Sequence, residues 1–211
     1  MDLFQSGEKI VFIGDSITDT GRREDPEGIG HGYVRLIRDY YAVTLPYLRL
    51  EVINKGISGN RVDDLAARWQ EDIIELQPDW VSISIGINDV WRQLKRPEEE
   101  QIYPEQFEQI YANLLNQLVS KTEANIILME PTVIEENGDA IGNRMLIPYI
   151  DAVHRLAKEH GAIIVPTHQA FLAFLAHQSG FPLTTDGVHM NTAGNLLMAK
   201  TWIKALQHRS R

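Results

Sequence analysis

The chain has 211 residues, no cysteine and a formal net charge of −9, with a sequence pI near 5.2. A surface of that sign repels nucleic acid and anionic membrane faces, so neither is expected as a partner. The absence of thiols excludes disulfides, thiol nucleophiles and thiolate metal sites, and it fits a reducing, cytoplasmic setting.

In chain order, short apolar runs alternate with longer amphipathic stretches. The opening residues carry acids and no apolar core, so no signal peptide is expected. Residues 9–13 are rich in β-branched and aromatic side chains and stop at Gly14, the pattern of a buried strand. Val34, Ile37 and Tyr41 then recur at helical spacing within 33–41. A second strand is expected over 50–54, followed by a helix over 62–76 with Leu65, Trp69, Ile73 and Leu76 on one face. Residues 80–85 read as a third strand, again ended by a glycine, Gly86. Pro104 introduces a helix over 105–122. A fourth strand over 125–129, a helix over 148–160 ending at Gly161, a fifth strand over 162–165 and a last helix over 191–207 complete the order. Leu197, Thr201 and Leu206 are the expected inner residues of that last helix.

No repeat, linker or low-complexity tract interrupts this order, so residues 1–211 read as one domain. A domain of that length buries roughly 70% of its unfolded surface without staples. No stretch approaches the ~18 uninterrupted apolar residues of a membrane span. Repeated strand–helix units force parallel pairing, and apolar strands suit a sheet covered on both faces. The expected fold is therefore α/β, with a five-stranded parallel sheet between helical layers. Ligands of such sheets bind at the carboxyl ends of the strands. That rule gathers Ser16, the turn around Gly59 and the turn Gly86-Ile87-Asn88-Asp89 into one site.

Acyl transfer needs a nucleophile, a base, a group that orients the base, and donors for the developing oxyanion. Ser16 offers a hydroxyl and a backbone N–H. Gly59 offers a backbone N–H with no side chain in the way, and Asn88 offers a neutral amide donor. Near the other end, Asp186-Gly187-Val188-His189 places a carboxylate three residues before an imidazole. His189 is then the general base and Asp186 its orienter.

These segments, Gly14-Asp15-Ser16, Gly59, Gly86-x-Asn88-Asp89 and Asp186-x-x-His189, resemble the four signature blocks of the SGNH hydrolases, also called GDSL lipases and esterases. They occur in family order across nearly the whole chain. The resemblance implies a flavodoxin-like three-layer α/β/α sandwich and no metal or cofactor. It also implies Ser16, Asp186 and His189 as the triad and Ser16, Gly59 and Asn88 as the oxyanion hole. More narrowly, Asn54-Lys55-Gly56-Ile57-Ser58-Gly59-Asn60, Ala67-Arg68-Trp69 and Asn88-Asp89-Val90-Trp91-Arg92-Gln93 look like bacterial acetylxylan esterases. Those deacetylate xylose units and commonly assemble as homo-oligomers, which makes an acetylated sugar the implied substrate. Many members have proline after the last histidine, where this chain has Met190, so altered loop packing around an intact triad is expected. Residues 135–146 carry no motif that can be placed.

Other residues invite blander readings. Asp15 is expected to bond nearby backbone N–H groups, and Asp89 to support Asn88. Asp19 fits either a structural or a chemical part. Trp91 could wall the acyl pocket, whereas Trp69 and Trp80 sit on regular elements and belong in the core. His31, in a glycine-rich loop near the presumed site, is a candidate substrate-lining residue. His154 and His160 are expected at the surface or as helix-end caps, and their spacing does not suit a metal. A lysophospholipase or thioesterase on the same triad is the alternative enzyme. A phosphate- or nucleotide-binding module is disfavoured, since no Gly-x-Gly-x-x-Gly pattern follows a strand and Asp15 would repel the anion.

Overall fold

Apart from Lys9, every residue of β1 (Lys9–Gly14) and β3 (Trp80–Ser84) is buried, which is why β1 reads as a continuous apolar run, while β3 holds Ser82 and Ser84 among its buried apolar residues. The computed structural model describes residues 3–177 and 180–209; the first two residues of the acidic opening stretch lie outside it. With β2 (Glu51–Gly56), β4 (Asn125–Met129) and β5 (Ile163–Val165), these strands form one all-parallel sheet in the order β2-β1-β3-β4-β5. This is the flavodoxin-like order, and it reverses direction at β1.

Eight helices accompany the sheet among the described residues: α1 (Ser16–Asp19), α2 (Tyr33–Thr44), α3 (Val62–Asp72), α4 (Ile87–Lys95), α5 (Pro104–Lys121), α6 (Ile141–His160), α7 (Thr167–Ala176) and α8 (Thr192–Arg209). Helices α2, α7 and α8 pack together on one side, and α3, α4, α5 and α6 on the other. The expected α/β/α sandwich is the fold of this chain. No helix among the described residues is long and apolar enough to cross a membrane.

The core under α8 centres on Trp202. Its ring meets Phe4, Phe12 and Tyr41, and its indole N–H donates to the buried Ser82 hydroxyl at 3.0 Å. That bond satisfies a polar atom in the middle of β3. Gly194, Asn195, Met198, Ala199, Trp202 and Leu206 are buried in α8, whereas Leu197 and Thr201 are only partly buried. Leu206 is thus an inner residue as expected, while Met198 and Trp202 take the inner places expected of Leu197 and Thr201. Trp69 and Trp80 are core residues, as expected.

Two helix boundaries also differ from the sequence pattern. Helix α6 begins at Ile141, with Pro148 inside it. An interior proline costs about 3 kcal/mol, but Leu146, Tyr149, Val153 and Leu156 bury the same helix against the core and outweigh that cost. Helix α3 stops at Asp72, and residues 74–76 form a separate 3₁₀ turn. Neither α4 nor α7 stands out in the sequence, because one lies within a motif and the other is apolar nearly all round.

His154 also departs from its expected part. Its Nε2 lies 2.6 Å from Oε1 of Glu130, which is fully buried just beyond β4 and accepts the Gln169 N–H at the start of α7. The imidazole is a partner for a buried carboxylate as well as a surface group.

Candidate active site

Ser16 stands at the carboxyl end of β1, where the strand order reverses. Asp15 caps α1 by accepting the Ile17 N–H at 2.9 Å, so the helix starts at Ser16. Burial pushes the Asp15 carboxyl up to about 7, against the opposing effects of the Ile17 N–H and of His189. Its part is the capping one expected from the sequence. Gly56, at the end of β2, allows the close packing of this turn. A Cβ there would lie 2.2 Å from the Asp19 backbone nitrogen.

His189 comes to Ser16 from the far end of the chain, with Nε2 2.9 Å from the Ser16 Oγ. Its Nδ1 lies 2.7 Å from Oδ2 of Asp186. The other Asp186 oxygen accepts the N–H groups of Val188 at 3.0 Å and His189 at 2.8 Å, closing a tight turn. Burial alone would raise the Asp186 carboxyl. The His189 N–H, the His189 imidazole and the Val188 N–H outweigh it and hold the group at about 2. An ionised Asp186 only accepts, so Nδ1 carries the proton that faces it and the Nε2 lone pair is left toward Ser16.

The turn carrying Gly59 is fixed from three directions. Asp19 accepts the Ser58 N–H at 3.1 Å and the Ser58 hydroxyl at 2.8 Å, which settles its part as structural. Arg92 donates to the Gly59 carbonyl at 3.1 Å. Asn88 donates one amide hydrogen to the Asn60 carbonyl at 3.0 Å and keeps a second. Asp89 is fully buried; burial raises its carboxyl to about 8, opposed by the Val62 N–H it accepts. It braces the start of α3 beside Asn88, as expected.

Ser16, Gly59, Asn88, Asp186 and His189 line one cleft of about 490 Å³, with half-buried Trp91 in its wall. Three strand ends and the Asp–His turn therefore meet as the sequence pattern requires. His31 does not join them. Its N–H is bonded to the Thr20 carbonyl and its exposed ring lies beside Gly21, outside the cleft walls. Sequence proximity in a glycine-rich loop misplaced it. Ser58, from the turn expected at the site, lines the cleft as well, together with Lys95, Arg96 and Val188, to which the sequence reading assigns no part. Trp91 and Lys95 are four apart on α4, so recognising that helix would have put both on one face.

A groove of about 690 Å³ between α2 and α8 is larger, but it is walled mainly by Leu36, Tyr40, Val43, Leu196 and Ile203 and contains no nucleophile–base pair. Size does not mark the site; the paired Ser16 and His189 do. Among the described residues, no group of three or more His, Cys, Asp or Glu side chains is placed to hold a metal ion.

Met190 is buried and forms an antiparallel bridge with Thr184, so the loop is packed while Asp186, His189 and Ser16 keep their contacts.

Known proteins share this frame. An acetylxylan esterase from Geobacillus stearothermophilus is 42% identical, with 95% of this chain and 94% of that protein aligned. The crystal structure of Axe2, an acetylxylan esterase from the same organism, superposes with a TM-score of 0.88 at 39% identity, covering 96% of this chain and 95% of that one. LAE5, an alpha/beta hydrolase enzyme from the metagenome of Lake Arreo, Spain, gives a TM-score of 0.91 at 37% identity over 97% of both chains. A model of the GDSL-like Lipase/Acylhydrolase family matches residues 12–197, which carry all four motif blocks in the order described above. The chain belongs to the GDSL-like lipase/acylhydrolase family.

Proposed function

We propose that this chain is a serine esterase that removes short acyl groups, acetyl above all, from a carbohydrate such as an acetylated xylo-oligosaccharide. One observation carries the reading: the hydrogen-bonded relay Ser16–His189–Asp186 at the mouth of a cleft. The 42% identity to an acetylxylan esterase over 95% of the chain supports the substrate class.

In this reading Ser16 Oγ attacks the ester carbonyl while His189 Nε2 takes its proton. Asp186 stabilises the resulting imidazolium and keeps the ring in the tautomer that can accept. The Ser16 and Gly59 N–H groups and the free Asn88 amide hydrogen receive the oxyanion; each such donor is worth about 10²–10³ in kcat. His189 then protonates the departing sugar hydroxyl. Water, deprotonated by the same imidazole, attacks the acyl-enzyme and releases the acid. Trp91 offers an aromatic face against which a sugar ring can lie. A cytoplasmic, homo-oligomeric enzyme completes the reading. The cysteine-free sequence supports the first term and the sequence resemblance the second.

The test is hydrolysis of acetylated xylo-oligosaccharides and of acetyl and octanoyl aryl esters by the parent and by Ser16→Ala. Acetyl release that disappears in the variant is expected. Undiminished activity in Ser16→Ala, or faster octanoyl turnover by the parent, overturns the reading.

A further inference from the structure

The side chains of Asp186 and His189 are half exposed, at 53% and 50%, so burial does not fix the turn that carries them. Segment 134–137 does. Glu135 has φ +67, a left-handed conformation rarely taken by a residue with a side chain, and its N–H donates to the Gly187 carbonyl at 2.7 Å. The next carboxylate, Glu136, faces the strand-like entry to the catalytic turn. Its Oε1 accepts the N–H groups of Leu183 at 2.9 Å and Thr184 at 2.6 Å, and the Thr184 hydroxyl as well. That hydroxyl in turn accepts the Gly187 N–H at 3.2 Å.

The segment is anchored from behind by Asn143 of α6, which is 2% exposed. Its Oδ1 accepts the Ile134 N–H at 2.8 Å, and its amide donates to the carbonyls of Glu135 at 3.2 Å and Asn137 at 2.7 Å. A continuous path of hydrogen bonds thus runs from the body of α6 to the peptide following Asp186. Glu136 is not part of the cleft wall. One oxygen with three donors on it is occupied as an acceptor and is poorly placed to exchange protons with substrate.

We propose that Glu136 is a positioning residue for ester hydrolysis, setting through Leu183 and Thr184 where Asp186 and His189 stand relative to Ser16. The inference rests on the triad reading above. Its physical basis is that a base misplaced by about 1 Å costs about 10² in rate even when the fold survives.

The experiment measures kcat, KM and the pH–rate profile with an aryl acetate for Glu136→Ala, Glu136→Gln, Thr184→Val and Thr184→Ser, below each variant's unfolding temperature. The rate of fluorophosphonate attachment to Ser16, located by peptide mapping, is measured alongside. Glu136→Ala is expected to lower kcat and labelling about 10–100-fold with KM changed less than about threefold. The limb of the pH profile set by His189 should move, since its carboxylate partner is no longer held. Glu136→Gln should restore activity to within about threefold, because the amide oxygen accepts the same donors. A folded Glu136→Ala enzyme with parental kcat, labelling rate and pH profile overturns the proposal, whatever its thermal stability. If that variant does not fold, the threonine pair decides: loss in Thr184→Val with recovery in Thr184→Ser supports it, and parental kcat in both overturns it. A parent enzyme not labelled at Ser16 overturns the triad itself rather than Glu136 alone.

Discussion

Replacing Asp186 by asparagine separates its two duties. The amide oxygen can still accept the Val188 and His189 N–H groups, so the turn should survive. The –NH₂ then faces His189 Nδ1, which at present meets Oδ2 at 2.7 Å. A donor there drives the ring proton to Nε2, where it faces Ser16 Oγ and leaves no lone pair to accept the hydroxyl proton. For a buried triad carboxylate, this exchange costs about 10⁴ in kcat. Here the Asp186 and His189 side chains are 53% and 50% exposed, so water competes for both ring nitrogens and softens the bias. A loss of about 10²–10³ in kcat, or about 2.7–4 kcal/mol of barrier, is expected with little change in KM. Steady-state hydrolysis of an aryl acetate measures it, with circular dichroism to verify the fold. A folded Asp186→Asn enzyme within tenfold of the parent would refute the tautomer argument.

Two further outcomes follow from the same geometry. Gly56→Ala places a methyl 2.2 Å from the Asp19 nitrogen and 2.6 Å from the Thr18 carbonyl carbon, both backbone atoms beside Ser16. Denaturant unfolding should show a loss of about 1–3 kcal/mol or more, together with reduced hydrolysis, and an unchanged midpoint would contradict the packing described. Asp15 has a carboxyl raised from 3.8 to about 7 by burial, so its stabilising contribution is complete below pH 3.8 and is lost as pH rises through 7. Asp15→Asn keeps an acceptor for the Ile17 N–H without an ionisable group. It should therefore gain stability relative to the parent between pH 4 and pH 8, by up to about 4 kcal/mol. Parallel stability–pH curves for the two proteins would count against a buried, high-pKa Asp15.

The parts of the site that lie at strand ends were legible because local chemistry marks them. Gly14 and Gly86 punctuate two buried strands, and the sheet rule then brings Ser16 and Asn88 to one edge. The Asp186–His189 turn was legible because its geometry is set within four residues. What escaped depends on separations no local pattern encodes. Glu136 meets Leu183 from 47 residues away, with nothing near either to announce it. His31 was misjudged for the converse reason: its loop is near the site, but the Thr20 carbonyl holds its backbone while the ring stays in solvent. Pro148 suggested a helix start, and the burial of Leu146 and Tyr149 on either side of it carried α6 through instead. On α8, the apolar residues of the sequence allow more than one phase. The inner stripe is fixed by Trp202, which meets Phe4, Phe12 and Tyr41, residues distant in sequence.

Ser16 and His189 are 173 positions apart, and α8 immediately follows the base. At its start, Asn195 accepts the Tyr33 N–H and donates to the Met190 carbonyl, while further along Trp202 completes the aromatic core. The same docking event thus seals the hydrophobic interior and delivers the imidazole. Ser16 precedes His189 by most of the chain, so the nucleophile gains its base only where α8 is docked. Ester cleavage is in that sense a signal that α8 is seated.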